Sequence, residues 1–197
     1  MPRPDMRAER IPQIIQAAMA VFARSGFAQT RMEDIAQEAG LSKATLYLYF
    51  PSKDDVIVAI LQSFFDHGFS ELAALLASDG PVAERLAGWA RERAREMHQQ
   101  AAFVSIGFEF YAVAARQEAT RQVLQRYYRE YRAGIAALIQ QGQERGELQA
   151  ADPHDLAIAL ISSLEGLTLL WTLDPMVVEP VRAAEQAVRA LLRGAAG

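Results

Sequence analysis

Apolar residues recur at intervals of three and four along this chain, and no stretch sustains alternation at two. Ile11, Ile14, Ile15, Ala18 and Phe22 form one such stripe; Val56, Ile57, Ile60, Leu61, Phe64, Phe65, Phe69 and Leu72 form another. That period lines up side chains on one face of an α-helix and argues against half-buried strands. Strong stop signals cut the stripes. Gly26 and Gly40 suit the left-handed turn that ends a helix, and Pro51, Pro81, Pro153 and Pro175 break or open later ones. The spacing predicts a first helix ending at Gly26, then helices over about 31–39, 43–49 and 53–76, and a fifth from Pro81 to Met97. Four more follow, over 101–115, 118–145, 153–173 and 178–193. Thr30 with Glu33 reads as a capping box for the second helix, Ser42 as the cap of the third, and Ser52 with Asp55 as the opening of the fourth. The fold class is all-α, with nine helices.

The third helix, within "LSKATLYLYF", is short and unusually decorated. Leu46 and Phe50 stand four apart and face inward together, which leaves Lys43, Ala44, Thr45, Tyr47, Leu48 and Tyr49 outside. With the second helix it has the layout of a helix-turn-helix. Ala36 is small enough for the next helix to cross closely, and Gly40 permits the tight turn. A helix of this size fits a DNA major groove about 12 Å wide. Tyrosine hydroxyls, a lysine and free N–H groups at a helix start can donate to phosphates. Thr45 can reach a base edge, and Ala44 and Leu48 can touch a thymine methyl. The alternative is a surface helix whose tyrosines cover the edges of the core.

Charge is distributed unevenly around a net −4. Residues 1–53 hold seven basic and five acidic groups, residues 54–197 hold 13 and 19, and the two lysines, Lys43 and Lys53, flank the third helix. The absence of cysteine excludes disulfides and thiolate chemistry. His67, His98 and His154 are scattered without evident metal-ligand spacing, so no metal and no cofactor are expected. The start "MPRPDMRAER" has no apolar signal core, and the longest apolar run, 101–115, is short of the roughly 20 residues that span a bilayer. A cytoplasmic protein with no membrane partner is the expectation.

Residues 17–61 resemble the N-terminal domain of the TetR family of bacterial transcriptional regulators. The pattern is met by Phe22, Gly26-Phe27, Thr30, Ile35-Ala36, Ala39-Gly40-Leu41-Ser42, Leu46-Tyr47-Leu48-Tyr49-Phe50 and Lys53. Leu41 replaces the commoner valine, and Ala44 stands where glycine is frequent. The stretch from Glu109 to Leu148 resembles, more loosely, the C-terminal domains of the BetI-like branch. The resemblance implies a DNA-binding domain over 1–53 and an effector-binding and dimerisation domain over 54–197, connected by the helix 53–77. It implies that Thr30, Tyr47, Tyr49 and Lys53 hold the phosphate backbone, while Ser42, Lys43, Ala44, Thr45 and Leu48 lie against base edges. It also implies a homodimer through the last two helices, Val188 included, reading a palindromic double-stranded operator. A small effector would release such a repressor from DNA.

The residues themselves bear on the last points. Ile161, Leu164, Thr168 and Trp171 form a stripe on an eighth helix that is apolar on its other side too, so one side needs a partner; Glu165 reads as a polar spot in that interface. Phe103, Phe110 and Tyr111, with Trp89, Met97, Tyr127 and Tyr131, can line an apolar effector cavity or simply pack a core. Glu109 either lies on an exposed strip or faces the cavity and meets a cationic ligand. The effector is therefore expected to be hydrophobic, with positive charge favoured over negative. Two other function classes stand against the regulator: an enzyme on an all-α fold, or a helical interaction module without DNA binding. No Ser-His-Asp order, metal motif or phosphate loop supports the enzyme, and the presence of Tyr47 and Lys53 argues against the module.

Overall fold

The computed structural model describes residues 6–99 and 101–194; for 6–8, 99, 101–103, 105 and 194 only the backbone is described. Among these residues there are nine α-helices and no strand. They are α1 (Met6–Ser25), α2 (Met32–Glu38), α3 (Lys43–Tyr49), α4 (Lys53–Ala77), α5 (Val82–Gln99), α6 (Ala101–Ala114), α7 (Glu118–Glu144), α8 (Pro153–Leu173) and α9 (Pro180–Gly194).

The helix ends follow local chemistry. Gly26, at φ +74°, closes α1 by donating to the Phe22 carbonyl at 2.8 Å, and Phe27 folds back edge-on against Phe22, 5.4 Å between ring centres. Gly40, at φ +64°, lets Leu41 N–H reach back to the Ala36 carbonyl at 2.8 Å. Ser42 accepts from Thr45 N–H at 3.1 Å, and Ser52 and Asp55 cap each other. Two boundaries differ from the sequence reading. The start of α2 is closed by Asp34, whose carboxylate accepts from Arg31 N–H at 2.8 Å, while the buried Thr30 donates to the Gly26 carbonyl instead. The start of α9 is held by Glu179, which accepts from Val181 and Arg182 N–H and leaves Pro180 as the first helical residue. In both cases an acidic side chain within reach of the free N–H groups wins the cap.

Two compact units result. One comprises Met1–Phe65 with Ser105–Leu124, the other Asp66–Val104 with Gln125–Gly197. The residue groupings thus cut α4, α6 and α7 rather than falling at 53/54. In the first unit α1, α2 and α3 pack on one another around Ile14, Ile35 and Leu46, all without exposed surface, with Val56, Ile57 and Ile60 of α4 equally buried. In the second, Leu86, Ile135, Leu138, Ile139, Leu160, Val188 and Leu192 form one apolar core, and α9 packs on both α5 and α8. Arg85, also buried, donates to the Leu75 carbonyl at the end of α4, to Ser78 at 3.0 Å and to Gln141 at 2.7 Å. A guanidinium is well placed there, since it satisfies helix-end carbonyls and favours the negative end of the helix.

The membrane expectation needs one correction. α8 is long and apolar enough to cross a bilayer by length and composition, because Asp155 and Glu165 break its apolar run without making it polar. One side of it, Ala157, Leu160 and Trp171, is buried in the protein's own core, as in a helix of a folded domain.

Candidate nucleic-acid interface and ligand site

The exposed surface of α3 is set by one buried side chain. Leu46 has no accessible surface, and this turns Lys43, Ala44, Tyr47 and Leu48 outward with Thr45 and Tyr49 at the margins. Leu48 is 76% exposed. No packing reason explains an exposed leucine between two tyrosines, whereas apolar contact to a base edge would. The hydroxyls of Ser42 and Thr45 are 2.8 Å apart, so each orients the other at the start of the helix. Lys43 forms an ion pair with Glu33 of α2, and each raises the other's tendency to stay charged: the Lys43 ammonium is held above its ordinary range and the Glu33 carboxyl below. Glu33 was not anticipated as a partner. Its proximity comes from the short turn joining α2 to α3, which a linear spacing does not reveal.

Thr30 and Lys53 both have partners within the protein. Thr30 is buried and bonded to Gly26, as described above. Lys53 Nζ donates to the Phe27 carbonyl at 2.6 Å and the Thr30 carbonyl at 2.8 Å, and sits 4.1 Å from the centre of the Phe27 ring. Burial lowers its ammonium below the ordinary lysine range, against the pull of Asp54 and Glu109. Both residues build the turn between α1 and α2. The left-handed residue Gly26 takes the chain out of the helix, and carbonyls 27 and 30 then need donors from outside.

Glu109 has a partner that neither reading named. Its carboxylate accepts from Phe27 N–H at 2.6 Å. Phe110 is buried in the same unit and Tyr111 is partly exposed beside Phe108. The other candidates for a ligand site belong to the second unit, except that the side chain of Phe103 lies outside the described residues. Tyr127 stacks on Tyr131 at 5.2 Å; Phe69 and Tyr128 approach Tyr127 at 5.5 and 5.1 Å, and Trp89 approaches Tyr131 at 6.0 Å. Met97 is half-buried on α5. Burial pushes the phenols of Tyr127 and Tyr131 well above their ordinary range, so both are neutral hydroxyls at any physiological pH. Glu165 is exposed and accepts from Tyr128 at 2.8 Å, beside these aromatics.

The histidine reading is also corrected. His67 Nε2 lies 3.1 Å from Glu71, and His67, Glu71 and Glu96 bring ligand-type atoms within 4.8 Å of one another. Arg93 bonds both carboxylates, at 3.2 and 2.8 Å, so a guanidinium already occupies part of the cluster.

On α8 the structure separates two faces that the stripe had mixed. Trp171, beside His98, and Val188 of α9 are buried within the protomer, so neither lies on an outer face. Leu164 packs partly on the same core. Ile161 and Thr168 are intermediate, and Thr168 gives its hydroxyl to the Leu164 carbonyl. The outward apolar residues are Ile158, Leu169, Leu170 and Leu173, followed in the next turn by Met176 and Val177, the last three being 73, 93 and 80% exposed. A patch of this kind on a folded chain marks an interaction surface.

Comparison with known proteins agrees with this layout. Residues 14–60 match the model of bacterial regulatory proteins of the tetR family, and residues 81–196 match the C-terminal model of the BetI-type transcriptional repressor. The HTH-type transcriptional regulator BetI of Rhizobium meliloti is 26% identical over 196 residues, covering 98% of this chain and 94% of that protein. The fold is shared with FadR from Bacillus subtilis in complex with stearoyl-CoA (TM-score 0.81, 20% identity, 93% of this chain and 98% of that one). It is shared also with a transcriptional regulator from Saccharomonospora viridis in complex with choline (TM-score 0.82, 24% identity, 94% and 96%). The chain belongs to the tetR family of bacterial regulatory proteins and is a helix-turn-helix transcriptional regulator.

The geometry of Lys53 yields a direct test. Replacing Lys53 with Met strips two carbonyls of a charged donor and should cost about 2 kcal/mol of stability, seen as a lower urea midpoint at unchanged slope. A lysine serving only as a surface phosphate contact would change stability by less than about 0.5 kcal/mol.

Proposed function

We propose that this regulator is a dimeric repressor that reads a palindromic operator through α3 and leaves it when a hydrophobic, cationic small molecule binds. The observation that carries the DNA reading is the outward set on α3, with Leu48 and Tyr47 exposed on a helix anchored by Leu46. Lys43, Ala44, Thr45 and Leu48 face base edges, with Ser42 at the helix start, while Tyr47 and Tyr49 donate to phosphates. Thr30 and Lys53 support this surface by fixing the preceding turn. A regulator of chromosomal DNA acts in the cytoplasm. The domain description follows: an N-terminal reader, and an effector and dimerisation region beyond it.

A second copy covers the outer face of α8, with α9 beside it. Nothing else in the described chain lies over Leu170 and Leu173, and a closed two-fold pair is the simplest way to bury one patch against itself. Two readers then meet half-sites about 34 Å apart on one side of the duplex.

The effector site is assigned to the aromatic group around Tyr127 and Tyr131, with Trp89 at its edge and Glu165 beside Tyr128. Stacked neutral phenols and an indole favour a cation by their ring faces, and Glu165 supplies a carboxylate close by. The choline in the Saccharomonospora viridis structure supports a cationic head; the stearoyl-CoA of FadR supports a long apolar body.

Three measurements check these assignments. Leu48→Gln should keep the wild-type melting temperature and change which base is preferred, whereas Tyr47→Phe should lose about 1 kcal/mol of affinity on every site; operator selection and gel shift read both. Leu170→Arg should weaken the dimer by at least about 3 kcal/mol, since the symmetric interface loses two leucines; sedimentation velocity that still shows a dimer at micromolar concentration overturns the interface. Choline and dodecyltrimethylammonium should quench or shift the fluorescence of Trp89 and release DNA with an affinity change of about 5- to 150-fold. Equal release by dodecanol, or full response in Glu165→Gln with Tyr131→Leu, overturns the cation site.

A further inference from the structure

We infer that Glu109 is a positioning residue for the DNA reader: from α6 it holds the turn that carries α2, so a movement of α6 reaches the recognition helix through Phe27. This rests on the DNA-reading function proposed above.

The contact joins residues 82 apart in sequence. Glu109 Oε2 accepts from Phe27 N–H at 2.6 Å, while Lys53 takes the carbonyl of the same residue at 2.6 Å and lies over its ring. Phe27 is thus gripped at its N–H by a carboxylate and at its C=O by an ammonium. Hydrogen bonds with one ionised partner are roughly twice as strong as neutral ones. Gly26, beside Phe27, stands at φ +74°, where a side chain would be strained, and a Cβ there would meet Glu109 Oε1 at an ordinary 3.4 Å. A second bond secures the same segment. Gln117, at the end of the α6–α7 turn, donates to Asp54 in the first turn of α4 at 2.9 Å. Both bonds lie within the unit that groups Ser105–Leu124 with α1–α3 and the start of α4.

The direction of transmission follows from the chain. From Phe27 the turn runs through the buried Thr30 to Met32, the first residue of α2, and α2 fixes α3 through the turn at Gly40. α6 is one continuous helix whose first residues, Ala101–Val104, group with the second unit and whose remainder groups with the first. A helix transmits displacement along its axis with little loss, so Glu109 is where a shift of α6 becomes a pull on the reader.

The test compares full-length wild type, Glu109→Gln and Glu109→Ala by hydrogen–deuterium exchange and by anisotropy on a duplex from the chain's own upstream region. Glu109→Ala should speed exchange in residues 26–31 at least tenfold, with α5 and α9 at wild-type rates, and should weaken DNA binding about tenfold. Glu109→Gln keeps an acceptor oxygen and should fall between. Faster exchange across all helices would indicate a merely structural role and overturn the inference. So would unchanged exchange at 26–31, or loosened exchange with wild-type affinity. If Glu109→Ala does not fold, Glu109→Gln decides: wild-type behaviour in both readouts overturns the inference. Wild-type protein that fails to bind the duplex counts against the reader, while the exchange arm, which contains no DNA, still judges Glu109.

Discussion

Leu46, without exposed surface, is the contact on which the surface of this protein depends. It ties a seven-residue helix to α1 and α2. A helix so short has little stability of its own, because nucleation costs more than a few hydrogen bonds return. Its orientation is therefore decided by what it buries. With Leu46 inward and Ser42 capping the start, the rotation of α3 about its axis is fixed, and with it the identity of every residue offered to a partner. Truncating Leu46 would remove a side chain whose burial contributes about 2–5 kcal/mol and would free the whole surface to rotate.

Much of this was legible in the sequence because it is local. Periodicity located the helices, and Gly26, Gly40, Ser42 and Ser52 set boundaries through chemistry that acts within four residues. What failed was tertiary. Thr30 matched a capping box, yet the chain turned its hydroxyl to Gly26 and Asp34 took the cap. Lys53 matched a phosphate contact, yet the turn left carbonyls 27 and 30 in need of a donor. Glu109 was recognised as an unusual charge on an apolar helix, but its partner is a backbone N–H 82 residues away, and no side-chain pattern encodes a backbone donor. Glu96 joins His67 and Glu71 only because α4 and α5 lie together, although the i,i+4 spacing of His67 and Glu71 was there to be read.

α8 illustrates a different limit. A helix that is apolar on all sides does not say which side faces its own core. Trp171 was placed in an outward stripe with Ile161, Leu164 and Thr168; in the structure it is buried with Ala157 and Leu160, and the outward apolar residues are Ile158, Leu169, Leu170 and Leu173. The decision lies with α9, whose buried face of Ala184, Val188 and Leu192 selects the side of α8 it packs against. Hydroxyls do not mark the outer side either, because Ser163, Thr168 and Thr172 return theirs to carbonyls one turn back. Such back-bonded residues are polar by name and apolar in what they present.

Three of the reader's described cations already have partners. Lys43 is paired with Glu33, Arg24 with Glu38, and Lys53 with backbone carbonyls. Non-specific affinity for DNA comes mainly from cations that displace counterions, and cations already paired contribute less of it. On the proposed function, affinity must then come from contacts that reward the correct sequence and from two readers bound at once. That second contribution is geometric. It is large when the spacing of the readers matches the half-sites and collapses when it does not. A reader whose affinity depends on that spacing is the kind that a small displacement, passed through a bond such as Phe27–Glu109, can release.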